Sequence, residues 1–538
     1  MNRREAGHLP VAGPSGARRP GGVEEDTMDP MTAGWALVVA LFLPLVGAGA
    51  LALMPADNDR GVRRAAVVIT GVAFALVTAI TFAFDHGDSG TLQFVTDVAW
   101  IDAISARFHI ALDGISLPLF FLTYLLTFLS AIYTTKHLPE PGKPKAFLGL
   151  MMLLQTGMAG TFVAFDLVLF FIFWELVLVP MFFMIGMWGG PRRDYASVKF
   201  FLYTLFGSVF MLVAFLAIYF QNGATTWDII ELSQGAGIGS RTFQIWAFLG
   251  IFLGFAIKVP MWPFHTWLPD AHTEAPTVGS VLLAGVLLKM GTYGFIRIAL
   301  PILPEGAVVF APWIGVLAVI GIIYGSLCCL AQTDVKRLIA FSSVGHMGFV
   351  MLGIAAMNEA GIQAALFGNI AHGIITGMLF FLAGSMHERY HSREISVIGG
   401  GMLMKLPRYG VLLTYVAVAS LGLPGLAGFW GEFTAMWAAI RPGMGLMDSY
   451  QGLYLGLVVV AAIGTVLTAG YFLWLLQRVN LGRPSERWVD EPLDDVLRIE
   501  WVAWTPLLLL ILALGVFPRL VFGIQDAAVS NIVRYIGG

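Results

Sequence analysis

Gly254-Phe255-Ala256-Ile257-Lys258-Val259-Pro260 sets a lysine inside an apolar run and follows it with a proline, and Pro263 and Pro269 come close behind. An ionisable side chain at membrane depth costs at least ~2.5–3.5 kcal/mol on insertion scales. Proline removes an intrahelical hydrogen bond and clashes with the preceding turn. A helix broken in this way survives in lipid only where neighbours or water satisfy the freed backbone. The same combination returns in the second half of the chain. Glu432 lies in Gly428-Phe429-Trp430-Gly431-Glu432-Phe433, behind Gly422, Pro424 and Gly425. Charge plus helix break, twice, is the sequence pointer to a transporter built from two repeats.

Composition places these two stretches in a membrane. The chain has 538 residues, 58% hydrophobic and 12% charged, against ~45–50% and ~25% in a soluble domain. So little charge cannot cover a water-facing surface, which excludes a soluble protein and a disordered one. A net charge of -3 offers no basic field for nucleic acid. Cys328 and Cys329 are adjacent and build neither a disulfide framework nor a four-ligand metal site.

A spanning helix needs about 20 mostly apolar residues. Fourteen runs qualify, near 33–54, 64–84, 114–134, 146–164, 166–188, 195–220, 242–262, 276–300, 308–331, 337–357, 361–386, 409–440, 452–477 and 501–523. They are numbered here as spans 1 to 14. The fold class is therefore an all-α polytopic membrane protein. Residues 91–112 alternate loosely between apolar and polar and predict a short β-hairpin on the membrane surface. Residues 1–29, charged and rich in Gly and Pro, read as a disordered tail. Lys and Arg concentrate in the odd-to-even loops, from Arg60 to Arg498, while the others hold Arg107, Arg241, Arg297 and Arg441. The positive-inside rule puts the richer loops in the cytoplasm and both termini outside.

Six titratable groups fall at similar depth on six different spans. They are Glu175 in span 5, Lys258 in span 7, Lys289 in span 8, His346 in span 10, His372 in span 11 and Glu432 in span 12. Any one alone reads equally well as a paired structural charge or a satisfied core histidine. Together they read as a lateral polar file across the membrane. His265, just after the break in span 7, lies where an inner water path would begin, whereas Lys336 and Arg337 read as interfacial anchors or caps. Two motifs point elsewhere. His387-Glu388-Arg389-Tyr390-His391 matches the H-E-x-x-H zinc signature, but it runs into a loop and has no evident third ligand. Gly235-Ala236-Gly237-Ile238-Gly239 lacks the strand and the acidic residue of a dinucleotide loop. No iron–sulfur, haem or flavin signature is present, so the chain is expected to carry out no redox chemistry itself.

Two long segments carry a resemblance. Lys258-Val259-Pro260-Met261-Trp262-Pro263-Phe264-His265-Thr266-Trp267-Leu268-Pro269-Asp270-Ala271-His272 is similar to the span-7 signature of the antiporter-like subunits of respiratory complex I. Asp334 through Gly348 is similar to a second signature of the same family, and so are Asp113-Gly114-Ile115-Ser116 and Phe173 through Met181. The likeness runs from about residue 33 to the end. Glu432, where other branches carry Lys, resembles the M (chain 4) branch of proton-translocating NADH:quinone oxidoreductase. The resemblance implies residues 30–140 as spans 1–3 with the hairpin, and two inverted five-helix repeats at 141–300 and 301–480. Residues 481–538 then hold span 14. It implies a proton-translocating subunit in the inner membrane, beside other antiporter-like subunits, with catalytic Glu175, Lys258, Lys289, Glu432, His346, His372 and His265. NADH, FMN, iron–sulfur clusters and quinone would sit in partner subunits, with no cofactor or metal on this chain. A cation/proton antiporter subunit and a membrane-bound hydrogenase subunit are the alternatives. The resemblance also implies a switch: a dry site weakens the hold of a lysine on its proton and a nearby carboxylate restores it, so Glu175 paired with Lys258 would load it and Glu175 withdrawn would unload it.

Overall fold

The computed structural model describes residues 30–537, apart from 56, 235 and 236. The tail at 1–29, and part of the glycine-rich Gly235–Gly239 segment, lie outside the described residues. Thirteen helices among the described residues are long and apolar enough to cross a membrane. The chain is a multi-pass membrane protein. Span 12 is missing from those thirteen for a physical reason. Its glycines and Pro424 split it into two half-helices, Pro407–Ser420 of 14 residues and Ala427–Ala439 of 13, each too short to cross alone. Counted with its break, it restores the fourteen crossings of the sequence.

Span 7 is broken in the same manner. Its helix Arg241–Lys258 stops at the lysine, and a short second helix, Trp267–Glu274, follows after the proline segment. Span 5 carries an interruption that the sequence reading did not anticipate. It is formed by Leu167–Leu176 and Leu178–Trp188. Pro180 is the cause, because a proline ring clashes with the carbonyl four residues earlier, here that of Leu176. Span 8, Thr277–Ile302, is continuous but widens into π-helical turns at Leu283–Leu287 and Phe295–Ala299. Span 14 ends earlier than expected, at Val516. Pro518 forces a new start, and a separate amphipathic helix, Arg519–Gly537, follows.

The expected hairpin is present. Strand β1 (Gln93–Ile101) pairs antiparallel with β2 (Ala106–Leu112). β2 is the more buried strand. It lies against spans 1, 4 and 5, while β1 turns Val98 and Trp100 outward.

Burial follows the bilayer's logic rather than water's. Spans 8 and 10 are wholly enclosed, whereas spans 1, 2 and 13 turn most of their apolar surface outward. Phe82 and Val466 are exposed there, as expected where the surrounding solvent is lipid and apolar surface gains nothing by hiding. The polar and charged side chains go inside. The odd-to-even loops share one face: Arg63 reaches the Thr135 carbonyl, and Arg393 pairs with Asp334 at 3.2 Å. The opposite set meets around the last helix, where Asn531 bonds the Gly90 carbonyl, Gln363 bonds Asp526 and Ser530 bonds Glu359.

One residue in the loop tally was misplaced. Arg297 is not in a loop. It lies inside span 8, 3% exposed, and pairs with buried Asp113 at 2.5 Å. Span 8 carries this arginine within its length because the charge is neutralised inside the protein.

Candidate functional site

Each of the four charges expected in the membrane file, Glu175, Lys258, Lys289 and Glu432, lies in a broken or irregular helix. Glu175 sits one residue before the end of the first half of span 5, and Lys258 is the last residue of its half-helix. Lys289 lies between the two π segments of span 8, and Glu432 in the short helix Ala427–Ala439. A helix end leaves carbonyls unpaired and carries partial negative charge, which suits a lysine at Lys258. π-turns likewise loosen the backbone ladder and gather at functional sites.

Lys258 and Glu175 do not form the ion pair that the sequence suggested. Lys258 is buried and its Nζ has no hydrogen-bond partner. It lies over the Trp174 ring, 4.8 Å from the centroid. Consecutive helical residues do not face the same way, so with Trp174 aimed at Lys258, the carboxylate of Glu175 points aside. Its Oε1 is buried without a partner. Trp174 is held in place by its own donor, Nε1 to Ser208 Oγ at 3.0 Å. No ion pair joins the two charges, and the group beneath Lys258 Nζ is an aromatic ring.

Glycines bring the first lysine to the second. A Cβ on Gly294 would lie 2.4 Å from the Phe255 ring, and one on Gly291 2.9 Å from the Phe255 carbonyl oxygen. Only hydrogen fits at these two positions. The turn that carries Lys258 thus packs directly on the turn that carries Lys289.

From Lys289 the polar groups connect. Its Nζ contacts the carbonyl of Ala284, which lies in the first π segment, and is 2.6 Å from His372 Nδ1. The His372 and His346 rings are 5.8 Å apart, centroid to centroid. His346 Nδ1 lies 2.7 Å from Glu432 Oε1, and its Nε2 lies 3.2 Å from Ser420 Oγ. His372 Nε2 and Glu432 Oε2 are buried without partners. The gap between the histidines is a cavity of about 30 Å³, lined in part by His346, His372, Thr376, Ser420 and Glu432. A polar cavity of that size holds one or two waters. Four of the six expected residues therefore form one file, in the order Lys289, His372, His346, Glu432. Such a file can hand a proton from nitrogen to nitrogen to carboxylate.

The chain and its fold have known counterparts. A family described as NADH:quinone oxidoreductase/Mrp antiporter, transmembrane, matches residues 164–461. The chain belongs to that family. It is 39% identical over 513 residues to NADH-quinone oxidoreductase subunit M of Rhodobacter capsulatus, covering 93% of this chain and 96% of that one. It is 39% identical over 502 residues to NAD(P)H-quinone oxidoreductase chain 4 of a Nostoc species, covering 93% and 91%. Among solved structures it resembles a chain of respiratory complex I from Thermus thermophilus with bound NADH. There the TM-score is 0.82 and the identity 29%, over 93% of this chain and all of the other. A chain of the Mrp complex from a Dietzia species shares the fold, with a TM-score of 0.80 at 21% identity over 94% and 100%. Within the family, this chain is an antiporter-like subunit of the M type.

His265 stands apart from the file. It is buried against Tyr324 and Phe341 with Nδ1 unpartnered. Two residues were missed or misread. His272 is fully buried, stacked on Phe380, with both ring nitrogens unpartnered; it closes the span-7 signature, and its place in that signature was the available signal. Lys336 is no interfacial anchor. It is 4% exposed, and its Nζ donates to the Ala275 carbonyl in the gap between spans 7 and 8. Hydropathy cannot distinguish a lysine entering a helix at the surface from one entering beneath a covering loop. Arg337, by contrast, is half-exposed near Asp270 at 3.9 Å, and Asp334 caps the helix as expected, accepting from the Arg337 N–H.

The H-E-x-x-H match does not keep a metal-site geometry. Its helix ends at Tyr390, and His391 turns into a left-handed conformation, so the two imidazoles do not share a helix face. Glu388 contacts His137, and Arg389 forms a bidentate pair with buried Glu500, NH1 to Oε1 at 2.9 Å and NH2 to Oε2 at 2.6 Å.

Proposed function

We propose that this chain translocates protons as the M-type subunit of NADH:quinone oxidoreductase, along Lys258, Lys289, His372, His346 and Glu432, with Glu175 as the switch. One observation carries the reading: the file from Lys289 to Glu432, whose one gap is a water-sized cavity between the two histidines. The proton leaves Lys289 Nζ for His372 Nδ1. Nε2 of the same ring gives one up to water in the cavity. His346 takes that proton on Nε2, beside Ser420, and passes one from Nδ1 to Glu432 Oε1. No electron moves in any step, so this chain acts as the non-redox arm of the complex. NADH, FMN, iron–sulfur clusters and quinone are assigned to partner subunits, and other antiporter-like subunits to the neighbouring positions in the membrane.

The Trp174 ring over Lys258 supports a two-position switch. With Glu175 turned aside, Lys258 has an aromatic face as its neighbour rather than a carboxylate. A charge in an adjacent subunit that swings Glu175 toward Lys258 would bind a proton there; its return would drive the proton on to Lys289. Moving one charge against ~150 mV costs about 3.5 kcal/mol, scaling from ~2.3 per 100 mV. Making or breaking one ion pair in a dry site reaches that magnitude, whereas an exposed pair, worth ~0–1 kcal/mol, does not. The two broken helices of spans 7 and 12 serve as the flexible members of the two repeats. The concentration of Lys and Arg on one face supports reading that face as the cytoplasmic side of an inner-membrane protein, with the C-terminus outside.

The test uses inverted membrane vesicles carrying Glu175→Gln. NADH-driven acidification is followed beside NADH oxidation by an artificial acceptor. The expected result is intact acceptor reduction with collapsed acidification. Acidification at the wild-type rate would make Glu175 a structural charge and overturn the switch.

A further inference from the structure

Five odd-to-even loops converge on one cleft of about 510 Å³. His387, Glu388 and His391 line it from the end of span 11, and His137 from the end of span 3. Glu274 lines it from the second half of span 7, and Lys336 from the start of span 10. The rim and the floor differ in exposure. His387, Glu388 and His391 are exposed, while Glu274 and Lys336 are buried. Titratable groups thus run from solvent down to one lysine beneath the loops. The Nζ of that lysine is bonded to the carbonyl of Ala275, two residues before span 8, the helix that carries Lys289. The cleft also absorbs the H-E-x-x-H segment, which the relay leaves unused. With the helix ending at Tyr390, the segment places two imidazoles at the rim of the cleft instead of on one helix face.

We propose that this cleft is the proton-collecting mouth of the relay, with His387 and His391 as collectors at its rim and Lys336 as the acceptor at its floor. The proposal rests on the relay reading above. Free protons are scarce in water near neutrality, and imidazole is the side chain that binds and releases them most readily there. A proton from water, or from a dissolved buffer acid, binds one ring nitrogen of His387 or His391. It crosses the water of the cleft to an uncharged Lys336 Nζ, and leaves that nitrogen inward to the start of the relay. The collector is then neutral again, and no other bond changes.

The experiment uses the assembled complex in inverted vesicles, which turn this face to the medium. His387→Gln with His391→Gln is the first variant, since both side chains are exposed and their loss leaves the packing intact. NADH-driven acidification is measured in weakly buffered medium, then with added imidazole as a mobile proton carrier. The expected result is a severalfold slower rate in weak buffer, restored by imidazole, with NADH oxidation by an artificial acceptor unchanged. Lys336→Met is the second variant. Its acidification should be lost with imidazole present or absent, because no carrier reaches the floor. Wild-type acidification by the double variant in weak buffer, or a loss that imidazole leaves unrestored, overturns the collecting role. Wild-type acidification by Lys336→Met overturns the floor. Glu175→Gln in the same vesicles keeps the two readings apart: a normal rate there counts against the relay itself, while a collapsed rate beside a normal histidine variant counts against the cleft alone.

Discussion

At the scale of single residues, the file makes each nitrogen accountable. His372 touches Lys289 and also lines the cavity shared with Glu432. Glutamine in its place keeps a polar group of similar reach but cannot take up a proton. Removing a positioned acid–base group costs ~10²–10⁴-fold in rate. His372→Gln is therefore expected to cut quinone-coupled acidification by about 10²-fold or more while acceptor reduction persists. An equal rate in variant and wild type would route the proton around this histidine. The residues of the file were legible in the sequence because charge is so costly in lipid that each one announces itself. Their order was not. Which histidine meets the lysine and which the glutamate depends on how spans 10 and 11 are rotated against spans 8 and 12, and hydropathy carries no such information.

At the scale of elements, close helix approach does the positioning. Gly291 has room for no side chain between span 8 and the Phe255–Val259 turn of span 7. Gly291→Leu should push the two spans apart and separate the Lys258 turn from the Lys289 turn. Acidification in vesicles is expected to fall, with the complex still present on a native gel; unchanged acidification would show that the two turns need not touch. The hairpin offers a pH test. His109 on β2 lies 2.5 Å from Asp228, beyond span 6. Burial alone would raise the Asp228 carboxyl, but the His109 contact and the backbone N–H groups of Glu231 and Ile230 outweigh it and hold it below the usual carboxylate range. A carboxyl depressed on folding stabilises the native state fully above its unfolded pKa, and that contribution is lost as pH falls through the folded value. The purified complex should therefore lose a step of thermal stability on strong acidification. Asp228→Asn should lower stability at neutral pH and lack the acid step; a variant whose melting follows wild type at every pH would assign the step elsewhere.

At the scale of the whole molecule, buried ion pairs tie distant parts of the chain together. Arg389 and Glu500 lock the end of span 11 to the start of span 14, and Asp113 with Arg297 locks the end of the hairpin to span 8. Breaking a buried pair from one side strands the other charge and costs ~3–5 kcal/mol, whereas replacing both partners with apolar side chains is often neutral. Glu500→Ala should sharply reduce the amount of assembled complex. Arg389→Met with Glu500→Leu should recover much of it. A double variant no better than the single would show that the hydrogen bonds of Arg389 to the Asp494 and Asp495 carbonyls matter more than its charge.

The sequence by itself determined the membrane class, the number of crossings, the hairpin and the two broken helices. Each of these follows from local composition: apolar length, alternation, or a proline beside a charge. It also determined the family, through the long signatures at Lys258–His272 and Asp334–Gly348. The tertiary structure decided what lies between helices. It placed the Trp174 ring under Lys258 in place of the Glu175 carboxylate, buried Arg297 and Lys336 where hydropathy had set them at the surface, and put a water-sized gap between two histidines. All of these depend on helix rotation and on contacts between residues tens to hundreds of positions apart. A charge is costly in lipid wherever it stands in the chain, but its partner is chosen only when the helices pack.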